Sequence, residues 1–166
     1  MLLSHQNEVV LRCRVKKRVG LIMNVAVKNI VLDSTTPLPI NIFNNDLVYY
    51  KTVVDGLSGN IVKWAVRAMP KQREAIIKAL GTSSGNLSRL YSKTVLDKHQ
   101  TEEILDVIKL YVEVCDVFGS TDKADLWLAI SVPALRNEQP INLLDTFIGR
   151  KLVRDTLNKI RFGEFS

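Results

Sequence analysis

The chain has 166 residues, 46% apolar and 24% charged, enough to bury a core of its own; a disordered chain and a disulfide-stapled miniprotein are both set aside. Cys13 and Cys115 lack C-x-x-C spacing, and the two histidines, His5 and His99, stand far apart, so no metal site and no histidine-based catalysis is expected. The net charge of +6 is unevenly placed: residues 1–22 hold five Lys or Arg against one acid, residues 61–100 eight against two, and residues 101–132 two against seven. A block of one sign asks for a partner of the other, unless it is only a solvated face.

Residues 1–46 read as an N-terminal arm, poorly ordered or partly extended. Residues 25–32 alternate weakly, as a strand does, and 33–39 (DSTTPLP) is turn and linker chemistry. The apolar run 19–27 is too short to span a membrane and is interrupted by Asn24. With the basic residues 12–18 before it, the run superficially resembles a signal peptide, but Lys28 follows at once with no small-residue cleavage site. A soluble, cytoplasmic protein with no membrane partner is expected. Met23 is a second candidate initiator beside Met1, which would make residues 1–22 a leader; an arm that touches phosphates is the alternative.

From about residue 44 the pattern predicts helices throughout, an all-α fold. A short helix over 61–69 stops at Pro70, and a second over 71–80 ends at Gly81. Ser83 or Ser84 can cap a third, carrying Leu87 and Leu90. Over 102–118, Ile104, Leu105, Ile108, Val112, Cys115 and Phe118 fall on one stripe. Ser120 or Thr121 can cap 122–130, with Ala124, Trp127, Leu128 and Ile130 inward. Asp145 or Thr146 starts a last helix with Ile148, Leu152, Val153, Leu157 and Ile160 on one face and Gly163 past its end.

The stretch KQREAIIKALGTSSGNLSRLYSK places helix, Gly turn and helix in the span of a helix-turn-helix. Ile76, Ile77, Leu80, Leu87 and Leu90 would fill the angle between the two helices. The second would present Ser84, Asn86, Ser88 and Arg89 outward, with Lys93 and Lys98 near its end, as groups for operator DNA. An ordinary αα-hairpin explains the same pattern; Ile77 is bulky for close helix packing, and Gly85 lies in the presumed reading helix.

The C-terminal part carries an ordered set of marks. Phe118-Gly119 closes a long helix, Trp127-Leu128 follows, then Pro133-Ala134-Leu135, and Pro140 ahead of Leu143-Leu144-Asp145-Thr146. Gly149 and finally Val153, Leu157, Ile160 and Gly163 complete it. In this order and spacing, residues 118–166 resemble the C-terminal toxin-binding domain of the Xre/MbcA/ParS antitoxins. The helices over 57–118 take the place of that family's Xre-like helix-turn-helix domain. Three segments are therefore expected: the arm 1–46, a helical dimerisation and helix-turn-helix domain 47–118, and a toxin-binding domain 119–166.

The resemblance implies a type II antitoxin partnered with a RES-domain toxin that consumes NAD. Such antitoxins self-associate as homodimers or higher oligomers and commonly repress their own operon. Where the family's reading helix often has Arg, this chain has Ser84 and Gly85, and only Arg89 aligns with a basic residue.

No nucleophile–base pair, metal cluster or phosphate-cradling glycine loop is present, so an inhibitor with no cofactor and no small-molecule substrate is expected rather than an enzyme. Arg150, Lys151, Arg154, Lys159 and Arg161 read as the outward face of the last helix, and the tail from Arg161 to Ser166 carries two phenylalanines, Phe162 and Phe165. The predicted toxin contacts are Arg150, Arg154, Arg161, Phe162, Gly163, Glu164, Phe165 and Ser166. In this scheme Glu164 and the Ser166 carboxylate pair with the cationic groups that hold dinucleotide phosphates in the toxin. The competing function is a DNA-binding repressor whose C-terminal half serves dimerisation.

Overall fold

The computed structural model describes residues 32, 35–39 and 41–163. The basic arm, most of the strand-like run over 25–32, and Glu164, Phe165 and Ser166 lie outside these residues. Helix α1 (Asp46–Asp55) begins at Asn45, whose Oδ1 accepts from the backbone N–H groups of Leu47 (3.0 Å) and Val48 (3.2 Å), two of the donors a helix start leaves unpaired. Helix α2 (Asn60–Ala68) stops ahead of Pro70. The proline opens a 3-10 turn, Pro70–Gln72, that runs directly into α3 (Arg73–Ala79). Gly81, at φ +60°, reverses the chain where a side chain would be strained. A second 3-10 turn, Ser84–Asn86, then leads into α4 (Leu87–Tyr91).

Helix α5 (Lys98–Phe118) has 21 residues, about 31 Å of rise. It starts four residues earlier than its apolar period suggests, because Asp97 caps it through the Gln100 N–H at 2.8 Å. Gly119 ends it, and Ser120 caps α6 (Thr121–Ala129). Two 3-10 turns, Pro133–Leu135 and Pro140–Leu143, lead to α7 (Phe147–Phe162), which Thr146 caps through the Gly149 N–H. Among the described residues the architecture is helices and turns, with one isolated bridge between Val132 and Glu138. The expected all-α fold is the observed one. No helix among these residues is long and apolar enough to cross a membrane.

The organising element is α5. The expected single stripe is instead a helix buried around most of its circumference, with Val107, Leu110, Tyr111 and Val114 enclosed as well as Ile104, Leu105, Ile108 and Cys115. One continuous apolar core runs from Ile61 in α2 to Leu157 in α7, so the position 118/119 falls within a core shared by both sides. A small satellite of Ile42, Val53 and Leu105 seats α1. That helix leaves Leu47, Tyr50 and Val54 exposed on one face.

Candidate functional site

The hairpin packs as its sequence implies: Ile76, Ile77 and Leu80 before the Gly81 turn and Leu87 and Leu90 after it are all buried in the common core. This leaves Ser84, Asn86, Ser88 and Arg89 exposed together on the turn and on α4. Ser84 Oγ accepts from Arg73 (3.2 Å), and Asn86 Nδ2 donates to Ser83 Oγ (3.2 Å). Two expected members of the set are placed differently. Lys93 lies beyond α4 and is half-buried, donating to Gln100 Oε1 at 2.8 Å and standing 3.7 Å from Asp97. Lys98 does not end the second hairpin helix; it is the exposed first residue of α5.

The start of α3 is tied to α6 by a polar node. Asp125 Oδ1 accepts from Gln72 Nε2 (2.8 Å) and from the Tyr111 hydroxyl (2.9 Å), while Lys71 approaches Oδ2 at 3.4 Å. Beside it, burial pushes the Cys115 thiol up to about 12, so it stays protonated at neutral pH and is a packing residue. Among the described residues no group of three His, Cys, Asp or Glu side chains stands ready to hold a metal ion.

The last helix departs furthest from expectation. Lys151, Lys159 and Arg161 are exposed, but Arg150 and Arg154 do not lie on that outward face. Arg150 is 1% exposed: its Nε donates to Asp106 Oδ2, its Nη2 to Glu103 Oε2 (2.8 Å) and its Nη1 to the Leu144 carbonyl (2.8 Å). Arg154 donates to Asp106 Oδ1 (2.6 Å) and to Glu113 Oε2 (2.9 Å), and Arg161 to Asp116 Oδ2 (3.0 Å). The partners advance along α5 as the arginines advance along α7, so the two helices run in the same direction and are joined by a ladder of ion pairs. Burial alone would raise the Asp106 carboxyl, but hydrogen bonds and charge from Arg154 and Arg150 outweigh it and hold the group below its ordinary value.

Beside the ladder, α7 buries only Gly149, Val153, Thr156 and Leu157, with Ile160 partly covered. Ile148 and Leu152, expected inward, are 60% and 46% exposed, and Phe147 next to them is 69% exposed. Ile130, also expected inward, is exposed at the end of α6 with Leu126. The reason is geometric. At 100° per residue, the positions that put Arg150 against the acids of α5 and Val153 and Leu157 in the core place residues 148, 151 and 152 on the far side, while Phe147 flanks them in the first turn. Of the predicted tail contacts, Phe162 is exposed and Gly163, at φ +70°, stops the helix. Glu164, Phe165 and Ser166 lie outside the described residues. Sequence reasoning missed Phe147; its signal was adjacency to the Thr146 cap, which fixes the rotation of the first helical turn.

Residues 115–163 match the family model described as the antitoxin Xre/MbcA/ParS C-terminal toxin-binding domain. That segment is the end of α5, all of α6, both 3-10 turns and α7. A relative from Sphingobium sp. (strain YBL2), named "Prs ADP-ribosylating antitoxin", is 26% identical over 121 residues, covering 67% of this chain and 76% of its own length. No solved structure matches the chain. Both matches point the same way: they support an antitoxin of a toxin–antitoxin system, through a C-terminal segment similar to a toxin-binding domain. The two matches together support an antitoxin of the Xre/MbcA/ParS type.

Proposed function

We propose that the protein neutralises a RES-domain toxin that consumes NAD, by binding it directly and closing its active site, and that it performs no reaction itself. The supporting observation is that the segment matching a toxin-binding domain is folded against the rest of the helices, with its last helix exposed at Phe162. The relative's printed name joins an antitoxin to ADP-ribosylation. That chemistry takes ADP-ribose from NAD and frees nicotinamide, so it spends the same substrate. NAD loss by the purified product of the adjacent gene, followed with and without this protein, tests the proposal. Stoichiometric suppression is expected, and undiminished NAD loss in a proven mixture of the two overturns it. Removal of residues 163–166 should weaken suppression if the tail reaches the cavity; full suppression by the shortened chain removes the tail from the mechanism.

Repression of its own operon, as a homodimer or higher oligomer, is the second half of the proposal. It is favoured by the shared exposure of Ser84, Asn86, Ser88 and Arg89 beside a buried hairpin angle. Retention on its own promoter should fall steeply with salt and drop further with Arg89→Ala. Retention that is flat with salt and indifferent to the substitution excludes it. A repressor that binds DNA but no toxin would leave the C-terminal half as a dimerisation unit.

A further inference from the structure

We infer that the toxin docks on the outward face of the first two turns of α7, with Phe147, Ile148 and Leu152 as the apolar anchors; the inference rests on the antitoxin reading above. In an ordinary amphipathic helix the large apolar residues face the core and the charges face water. At the start of α7 this division is mixed. The side toward the protein's own core carries Gly149, Val153, the buried Arg150, and Arg154 in its pairs with Asp106 and Glu113. The far side carries Ile148 and Leu152, with Phe147 beside them in the first turn, between about half and two-thirds exposed. Ion pairs, a close glycine contact and the buried Val153 and Leu157 hold this helix down, which leaves Phe147, Ile148 and Leu152 largely uncovered among the described residues.

Several features make this face an anchor surface. Its residues fall within the segment that matches a toxin-binding domain, as do the exposed Leu126 and Ile130 at the end of α6, whereas the exposed stripe Leu47, Tyr50 and Val54 on α1 falls outside it. The face is preorganised: Thr146 caps the helix at its first turn and Gly149 sits hard against the Leu143 carbonyl, so docking orders little that is loose. Arg150 and Arg154 are taken up by the acids of α5, and the exposed charges beside these side chains are Lys151 and the Asp155 it pairs with at 2.8 Å. The complementary surface is therefore an apolar recess on the toxin, with a rim able to meet one self-neutralised ion pair.

The experiment is a titration of the full-length chain against the purified product of the adjacent gene. The variant carries Phe147→Glu and Ile148→Glu. Both positions lie in the first turn of α7, where carboxylates favour a helix, so the variant keeps its fold; unchanged far-ultraviolet circular dichroism and an unchanged thermal midpoint verify this. Affinity is expected to fall roughly a hundredfold or more, and Leu152→Asp alone should fall by about tenfold. Leu47→Glu with Val54→Glu on α1 should leave toxin affinity as it was. Equal binding by the wild type and the Phe147/Ile148 variant overturns the inference while the antitoxin reading stands. A variant that binds toxin normally but changes the oligomeric state of the free protein also overturns it, making the face a self-contact. A wild-type chain that binds no toxin removes both.

Discussion

Arg150→Met is expected to lower folding stability by about 3–5 kcal/mol, the effect of removing one member of a buried charge cluster. The substitution keeps most of the side-chain volume and removes only the guanidinium. It takes one cationic partner from both Glu103 and Asp106 and leaves the Leu144 carbonyl without its donor. Arg154 still reaches Asp106, but its other bond is already committed to Glu113. Glu103 is then left facing an enclosed surface with no cation on it. A shift of the guanidinium chloride midpoint at constant slope measures the loss; a change under about 1 kcal/mol would show the cluster to be dispensable. The same substitution made with Glu103→Gln already in place should cost less, because the stranded carboxylate is gone. The difference between the two is the coupling energy of the pair.

Gly149→Ala is expected to destabilise by about 3 kcal/mol, combining overpacking with loss of a helix cap. A Cβ at this position would stand 2.8 Å from Thr146 Oγ1 and 2.9 Å from the Leu143 carbonyl carbon, closer still to the Leu143 oxygen. Two of these atoms are backbone, so relief requires moving α7 away from the Pro140–Leu143 turn. That movement opens the Thr146 cap on the Gly149 N–H and lengthens the Arg150 contacts one residue on. Thermal unfolding with tryptophan fluorescence reads the effect. An alanine variant that unfolds within a degree or two of the wild type would mean the turn yields freely.

Much of the fold was legible because its boundaries are local. Ser120 and Thr146 are caps a few residues from the donors they satisfy, and Pro70, Gly81, Gly119 and Gly163 act on their own backbone; the Asp97 cap, by contrast, goes unread, and the apolar period places the start of α5 too late. The buried hairpin angle follows from the same short-range spacing. The rotation of α7 was not legible in that way. Arginine on a helix reads as a solvent residue, and the acids that bury Arg150 and Arg154 lie 41 to 48 residues away in sequence. The trace was there in the matching intervals. Glu103, Asp106 and Glu113 on one helix and Arg150, Arg154 and Arg161 on the other recur at three-, four- and seven-residue steps, the spacing of two facing helix sides. Once Arg150 and Arg154 turn inward, Ile148 and Leu152 turn outward, with Phe147 exposed beside them. The exposed hairpin residues were readable; what they bind is a question of chemistry beyond the helix period.

The ladder between α5 and α7 separates two tasks that a single amphipathic face would merge. Attachment of the last helix rests on the ion pairs together with Val153 and Leu157 in the core, while Ile148 and Leu152 on the other side contribute little to holding it. On the docking proposed above, substitutions at positions 147, 148 and 152 would retune which neighbour is recognised without an equal penalty in folding. Two copies of such a scaffold in one cell could diverge in cognate choice while sharing an unchanged chassis.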